Sequence, residues 1–136
     1  MTRLVDLQLK YPGALSWAFG DTPALADELA SPVISGKKTA SCGSLASFQN
    51  EDNQPVIGCY NIILNAAQEP VCVIRLIAMR IIRFCDVTEE FARKEGEGDR
   101  SLDYWRQAHR DFFIRTGNFS ETMELVTEEY ELTEIL

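Results

Sequence analysis

The sequence is poor in the soft side chains that hold transition metals. It has one histidine, His109, and four cysteines, and no cysteine pair has Cys-x-x-Cys spacing. A structural zinc site needs four soft ligands, so we expect no metal and no cofactor. Cys72 lies inside an apolar run, which disfavours a disulfide framework. We therefore expect four reduced thiols in a reducing compartment and predict a cytoplasmic protein.

Long apolar stretches are also missing. No run approaches the ~20 apolar residues that a membrane-spanning helix requires. The first residues, 1–6, have no apolar segment of the kind found in signal peptides. We therefore predict a chain without a membrane segment.

Basic residues are outnumbered. The 13 lysines and arginines face 21 acidic residues, which gives a net charge of −8. Proteins that grip nucleic acid by its phosphates depend on lysine and arginine, so the balance favours a small ligand or a short single-stranded RNA segment. The net charge does not exclude a local basic patch. The length of 136 residues fits one domain, 1–136, and we expect a monomer or a weak homodimer.

The apolar patterns predict an α+β fold with a mostly β core. We predict an extended segment at 37–42 and strands at 60–64, 71–83 and 123–132, with 71–83 buried on both faces. We predict helices within 2–10, 22–33, 84–95 and 101–117. Asp21 or Thr22 would cap the second helix, which Pro32 should end or kink. Thr88 would cap the third helix and Ser101 or Asp99 the fourth, which Gly117-Asn118 would end. Because strands and helices do not alternate regularly, a doubly wound sheet is disfavoured.

Three parts of the sequence resemble the ASCH family. The first is Phe19-Gly20-Asp21, with Ala26-Asp27-Glu28-Leu29 and Gly36-Lys37-Lys38-Thr39-Ala40. The second is Pro70-Val71-Cys72-Val73-Ile74. The third runs from Val87-Thr88-Glu89-Glu90-Phe91-Ala92 through Glu95-Gly96-Glu97-Gly98-Asp99 to Ser101-Leu102-Asp103-Tyr104-Trp105-Arg106, with His109 and Phe112-Phe113. The resemblance spans residues 17 to 132 and implies a PUA-like small β-barrel with surrounding helices and a cleft.

The resemblance also implies a connection with RNA. Some small members are similar to amidohydrolases of N(4)-acetylcytidine, with a lysine, a threonine and a glutamate at the site. Carried over, these become Lys38, Ser41 and Glu95. Other members resemble ribonucleases. The resemblance thus favours an amidohydrolase of an N(4)-acylated cytidine-type nucleoside, with a ribonuclease or a non-catalytic RNA-binding or interaction module as the alternatives.

The chain departs from the family pattern at several positions. Ser41 stands for a threonine, Cys59 stands where members often have aspartate, and Arg75-Leu76 replace an acid and a threonine. Pro32 interrupts a helix that is usually continuous. Substrate identity is the property that these departures affect most.

The chemistry of the three carried-over residues can be considered without the family. A serine hydroxyl needs a base, and a lysine can be that base when burial lowers its pKa; Glu95 could hold the lysine or shuttle a proton. In a regular strand Lys38 and Ser41 point to opposite faces, so they meet only if the chain bends near Gly36. The alternative is a solvated lysine beside a serine at a strand edge.

Other residues are candidates for contacts with a ligand. Tyr104 lies beside the apolar face of its helix and could stack on a base, whereas Trp105 and Phe19 are predicted to be core. We predict that substrate is bound by Lys37, Thr39, Arg75 and Tyr104. Alternatively, these basic residues could all be solvated charges: Lys37, Lys38, Arg75, Arg80 and Arg83.

Two further features have alternative interpretations. His109 is expected to be a hydrogen-bonded core residue, with a donor at the edge of the cleft as the alternative. Glu95, Glu97 and Asp99 alternate in a glycine-rich loop that could bind Mg²⁺ or Ca²⁺, but the calcium-loop pattern is missing and Asp99 is more consistent with a helix cap.

Overall fold

The structure is a computed structural model that describes residues 3–20, 22–117 and 119–136. Its strands are β1 (Leu15–Trp17), β2 (Ala40–Ser44), β3 (Tyr60–Leu64), β4 (Pro70–Arg83) and β5 (Glu124–Ile135). They form one sheet in the order β1-β3-β4-β5-β2. The pair β1–β3 is parallel and the other pairs are antiparallel. The sheet curls into a half-barrel, which confirms the predicted α+β class.

Five α-helices surround the sheet: α1 (Leu4–Lys10), α2 (Pro23–Ile34), α3 (Leu45–Gln49), α4 (Glu89–Glu95) and α5 (Leu102–Arg115). A short 3₁₀ turn, Phe84–Asp86, leads from β4 towards α4. The side chains of Thr22, Thr88 and Ser101 cap α2, α4 and α5, each accepting a bond from an amide in the first turn. The predicted caps are thereby confirmed at these three positions, while Asp21 and Asn118 lie outside the described residues.

The first half of β4 is buried on both faces, as its continuous apolar run predicts. The prediction is wrong for the second half, where Ile77 and Ile81 are 50% and 59% exposed. Val73 and Ile62 pack with Leu7 of α1 on one side. Cys72 and Ile74 pack with Val33 of α2 on the other. A third cluster lies under α4 and α5 and is built around Phe84, Trp105 and Phe113. The three clusters fix the helices that surround the site described below.

Pro32 does not end its helix at once. The helix continues to Ile34, and the carbonyl of Pro32 then accepts the amides of Lys37 and Lys38, at 2.9 and 3.0 Å. These bonds turn the chain sharply after α2. The turn brings Lys38 towards the interior instead of letting it point into solvent.

Two elements were not predicted. Strand β1 has three residues and pairs with β3 over Leu15, Ser16 and Trp17 alone. Helix α3 is a single short turn, capped by Ser44. None of the helices in the described ranges has the length and apolarity needed to cross a bilayer.

Candidate functional site

A pocket of about 390 Å³ lies between α2 and α5. Leu25 and Leu29 line it from α2, and Tyr104, His109 and Phe112 line it from α5. Its base is formed by the residues before and within β2 and by the end of α4. The volume is within the range of pockets for small organic ligands, roughly 300–1,000 Å³.

Lys38 and Glu95 meet at the base of this pocket. The ammonium of Lys38 donates to Oε1 of Glu95 at 3.2 Å and to its backbone carbonyl at 3.1 Å. Both side chains are only 2% exposed. The predicted proximity of these two residues is present in the structure, whereas their catalytic roles stay a prediction.

The end of α4 explains why the two residues can approach. Gly96 has φ +69° and follows the last helical residue. A Cβ there would collide with the carbonyl of Lys37, so a glycine allows the two segments to touch. The amide of Thr39 then donates to the carbonyl of Lys94 at 2.7 Å. Together with the Lys38 ammonium, it satisfies carbonyls that the helix end leaves free.

Lys38 is held in its charged form. Burial acts against the charge, but Glu95 and Glu97 outweigh it and raise the pKa of Lys38 above its ordinary value. The carboxylate of Glu97 is 3.6 Å from the ammonium. A lysine in this setting donates hydrogen bonds and stabilises negative charge, which makes it a poor base for Ser41; a role of Lys38 as a base stays a prediction.

Glu95 is the centre of a wider network. Its Oε2 atom accepts bonds from the indole of Trp105 and from the thiol of Cys42, whose sulfur lies 3.3 Å away. His109 Nε2 is also 3.3 Å from Oε2. Burial opposes the charge, yet His109 and Lys38 keep the pKa of Glu95 well below its usual range. Glu95 is thus a buried, fully satisfied carboxylate.

The protonation of His109 follows from its contacts. Its Nδ1 is 2.9 Å from the carbonyl of Trp105, which can only accept, so Nδ1 carries a proton. Its Nε2 faces the Glu95 carboxylate, which favours a second proton there. Burial lowers the pKa of His109, but Glu95 and Glu97 raise it to a net value above the ordinary one. The contacts with Glu95 and Glu97 thus favour the protonated form of the ring, which stacks on Trp105 with ring centroids 4.2 Å apart.

Glu97 is the most solvent-accessible acid of the cluster. Its side chain is 19% exposed and its carboxylate is 3.8 Å from His109. Burial raises the pKa of Glu97, and Lys38 acts in the opposite direction. The cluster therefore places Lys38 and His109 against the carboxyl groups of Glu95 and Glu97, and Glu97 is the one with access to solvent.

A second pocket, of about 460 Å³, adjoins the first and shares Phe19, Gly20, Ser41 and Cys42 with it. Glu51 and Glu128 line this second pocket, as do Asn61 and the indole of Trp17, which are joined by a 2.9 Å bond. Burial and the neighbouring Glu51 raise the pKa of Glu128 to about 7. The two pockets form one cleft with a polar extension.

The residues predicted from sequence fall into two groups. Ser41 and Tyr104 line the first pocket with Lys38 and Glu95, and Tyr104 is 42% exposed. Lys37, Thr39 and Arg75 are exposed and do not line either described pocket. Arg75 instead donates to the carbonyl of Gly58 and lies over the ring of Tyr60.

Sequence reasoning missed Cys42 and undervalued His109. Residues at intervals of two share a face of a strand, so Lys38 and Cys42 belong together, and this signal could have found Cys42. His109 is both a hydrogen-bonded, largely buried residue and part of the pocket wall. One ligand atom each from Cys42, Glu95 and His109 lie within 4.8 Å of one another, and these three could hold a metal ion. The carboxylate of Asp99 accepts a hydrogen bond from the amide of Ser101. Ser101 is the residue that caps α5.

Comparison with known proteins identifies relatives over nearly the whole chain. The ASCH domain model matches residues 15–134. The crystal structure of an ASCH domain from Lactobacillus crispatus JV V101 has 30% identity and a TM-score of 0.84, covering 98% of this chain and 87% of that one. A crystal structure of an Enterococcus faecalis V583 protein has 34% identity and a TM-score of 0.78, covering 89% and 77%.

A serine-to-alanine variant of an ASCH protein from Zymomonas mobilis has 15% identity and a TM-score of 0.57, covering 90% of this chain and 71% of that one, and therefore supports the fold alone. No curated protein has a significantly similar sequence. The structural neighbours agree with the expected PUA-like fold.

Proposed function

The chain belongs to the ASCH domain family, whose members are generally associated with RNA, and from this premise we propose that it is an amidohydrolase of an N(4)-acylated cytidine-type nucleoside. The observation that carries the proposal is the buried Lys38–Glu95 pair at the base of a pocket of about 390 Å³. Burying two charges is costly, and a pair held at the wall of a ligand-sized pocket is a common arrangement for a catalytic site.

The charges around the pocket support a neutral substrate. Glu28, Glu97 and Asp111 line it, against Arg115 and the paired Lys38. A phosphate would meet this acidic lining, whereas a nucleoside has no phosphate to repel. The side chain of Tyr104 offers a ring against which a base can stack.

The proposed chemistry assigns a role to each group at the base. Lys38 and His109 donate to the carbonyl oxygen of the acyl group and stabilise the oxyanion that forms on attack. Ser41 is the candidate nucleophile, with water as its alternative. Because Lys38 is held charged, the proton of the nucleophile goes to a carboxylate. Glu97, with its raised pKa, is a better acceptor than Glu95, whose pKa is depressed.

A second candidate function is RNA binding or RNA cleavage in the same cleft. It is favoured by the family's association with RNA. Three exposed arginines of β4, Arg75, Arg80 and Arg83, could add phosphate contacts, although they lie outside the two described pockets. Two of these arginines stand opposite glutamates of β5, since Arg75 pairs with Glu131 and Arg83 with Glu124. Such interleaved charges form a weaker phosphate track than an unbroken basic strip would.

The proposal is tested by release of acid from N(4)-acetylcytidine. We expect Lys38→Ala and Glu95→Ala each to lower turnover by about 10²–10⁴-fold. Ser41→Ala should match them if Ser41 is the nucleophile, and should cost only ~1–3 kcal/mol if the hydroxyl merely orients substrate. Ser31→Ala, which changes an exposed serine of α2 outside the pocket, is the control and should keep full turnover.

Salt dependence separates the two candidate functions. Turnover of a neutral nucleoside should barely respond to salt, because no counterions are released. RNA affinity should fall on a log–log plot with a slope of about −0.7 per phosphate contact. No acid release at high enzyme concentration, together with RNA cleavage that high salt suppresses, would reject the amidohydrolase in favour of the ribonuclease.

We also propose the setting in which the chain works. It acts as a single domain, 1–136, as a monomer or weak homodimer, in the cytoplasm. The support is the set of four free cysteines, which suits a reducing compartment. Analytical ultracentrifugation tests the oligomeric state, and a thiol count in denaturant tests whether the four cysteines are reduced.

A further inference from the structure

Three potential metal ligands converge on the wall of the first pocket. Cys42 Sγ and His109 Nε2 are each 3.3 Å from Oε2 of Glu95. All three atoms lie within 4.8 Å of one another. We propose that Cys42, Glu95 and His109 form a binding site for a soft divalent cation of the Zn²⁺ type.

The ligand set selects the class of ion. A thiolate, an imidazole and a carboxylate are all normal ligands of Zn²⁺. Mg²⁺ and Ca²⁺ prefer oxygen donors, and only one of these three side chains supplies one. Because all three residues line the pocket, a fourth coordination position faces the cavity and is open to water or to a ligand.

The neighbours of the three ligands already hold them in position. The Nδ1–H of His109 donates to the carbonyl of Trp105, which leaves Nε2 as the atom that can coordinate a metal. Oε1 of Glu95 stays bonded to Lys38, while Oε2 faces the other two ligands. Such outer contacts fix the tautomer and the orientation of metal ligands.

Metal binding displaces protons from its ligands. The ion binds a thiolate and a neutral imidazole, so the thiol of Cys42 gives up its proton to solvent, as does Nε2 of His109 where it carries one. The ammonium of Lys38 keeps its bond to Oε1 of Glu95.

An ion in this position engages Glu95 and His109, two of the groups that face the first pocket. The inference does not depend on the proposed amidohydrolase, because the test below measures binding without any substrate.

The direct test uses Co²⁺ as a spectroscopic probe of the full chain. We expect one Co²⁺ per chain, a thiolate-to-cobalt charge-transfer band, and loss of that band when Zn²⁺ is added but not when Mg²⁺ is added. Calorimetry with Zn²⁺ in two buffers of different ionisation enthalpy should show release of at least about one proton per ion, from the Cys42 thiol. Absence of the band in the unaltered protein overturns the inference.

Matched variants locate the site. Cys42→Ser should abolish the band and weaken Zn²⁺ binding by at least about 10–100-fold, while Cys85→Ser, which alters an exposed cysteine, should leave both unchanged. His109→Gln gives a second measure should Cys42→Ser fail to fold, with the same loss of affinity expected. A band that persists in Cys42→Ser would place the ion elsewhere and overturn the assignment.

Discussion

Replacing Lys38 by methionine isolates the contribution of the buried ammonium. Methionine keeps an unbranched stem of similar length, so packing against Phe19, whose ring centroid is 5.6 Å from the ammonium, is largely retained. The change removes the donor to Oε1 and to the backbone carbonyl of Glu95. Glu95, only 1% exposed, is left as a buried anion with one cation fewer.

The magnitude follows from what remains around Glu95. Breaking a buried ion pair from one side costs about 3–5 kcal/mol, because the other charge stays uncompensated. Here Trp105, Cys42 and His109 still face Oε2, and His109 is a second cation. We therefore expect Lys38→Met to lower the free energy of unfolding by about 3 kcal/mol, at the lower end of that range.

Urea denaturation at pH 7 measures this loss. The control is Lys37→Met, which changes the exposed neighbour and should stay within about 0.5 kcal/mol of the wild type. The double variant Lys38→Met/Glu95→Gln removes both charges and should lose less than the two single losses added together. If Lys38→Met and Lys37→Met were equally stable, the buried pair would not hold the site together and the reasoning would be refuted.

Two further variants test other parts of the structure. Gly96→Ala should lower the free energy of unfolding by about 1–3 kcal/mol more than Gly117→Ala does. Both glycines have positive φ, but of the two only Gly96 would place a Cβ against a neighbouring backbone. Equal losses would contradict the close approach of Lys37. Relative to the wild type, Glu128→Gln should gain roughly 1–3 kcal/mol of stability as pH rises from about 4.5 to 7. The pKa of Glu128 is raised in the folded protein, so ionisation of this carboxyl group destabilises the wild type over that window. Glu129→Gln, which loses a 2.8 Å contact with Lys94, should show no such gain, and a flat difference across the window would mean that Glu128 is not buried as described.

The regular elements could be read from local patterns. Strand β3 occupies Tyr60–Leu64 as predicted, and β4 differs from the prediction by one residue at its start. Side-chain caps at Thr22, Thr88 and Ser101 begin helices where expected. These features depend on neighbours in sequence, namely alternation, apolar runs and capping residues.

The missed features depend on contacts that are distant in sequence. Strand β1 has three residues and is stabilised by pairing with β3, more than 40 residues later, so no local pattern identifies it. The raised pKa of Lys38 requires Glu95 and Glu97, which approach only because the chain turns after Pro32 and Gly96 allows contact. The exposure of Lys37, Thr39 and Arg75 likewise follows from the path of the backbone and not from residue type.

The site residues illustrate the same division. The resemblance to the ASCH family indicated Lys38 and Glu95, and the structure brings them together. The hydrogen-bond partner of Glu95 from β2 is Cys42 and not Ser41, because the strand places alternate residues on its inner face. Whether Ser41 takes part in chemistry stays a prediction that the acid-release assay decides.

The pairing of β2 with β5 has a consequence for how the protein is made. Ala40 pairs with Glu129 and Ser44 with Leu125. The partner strand of β2 is therefore synthesised more than 80 residues after β2 itself. Until residues 124–135 have emerged, β2 lacks its partner and the base of the pocket has no fixed wall. The nascent chain would therefore expose an unpaired strand edge until β5 has joined the sheet, and ligand binding would begin only after that.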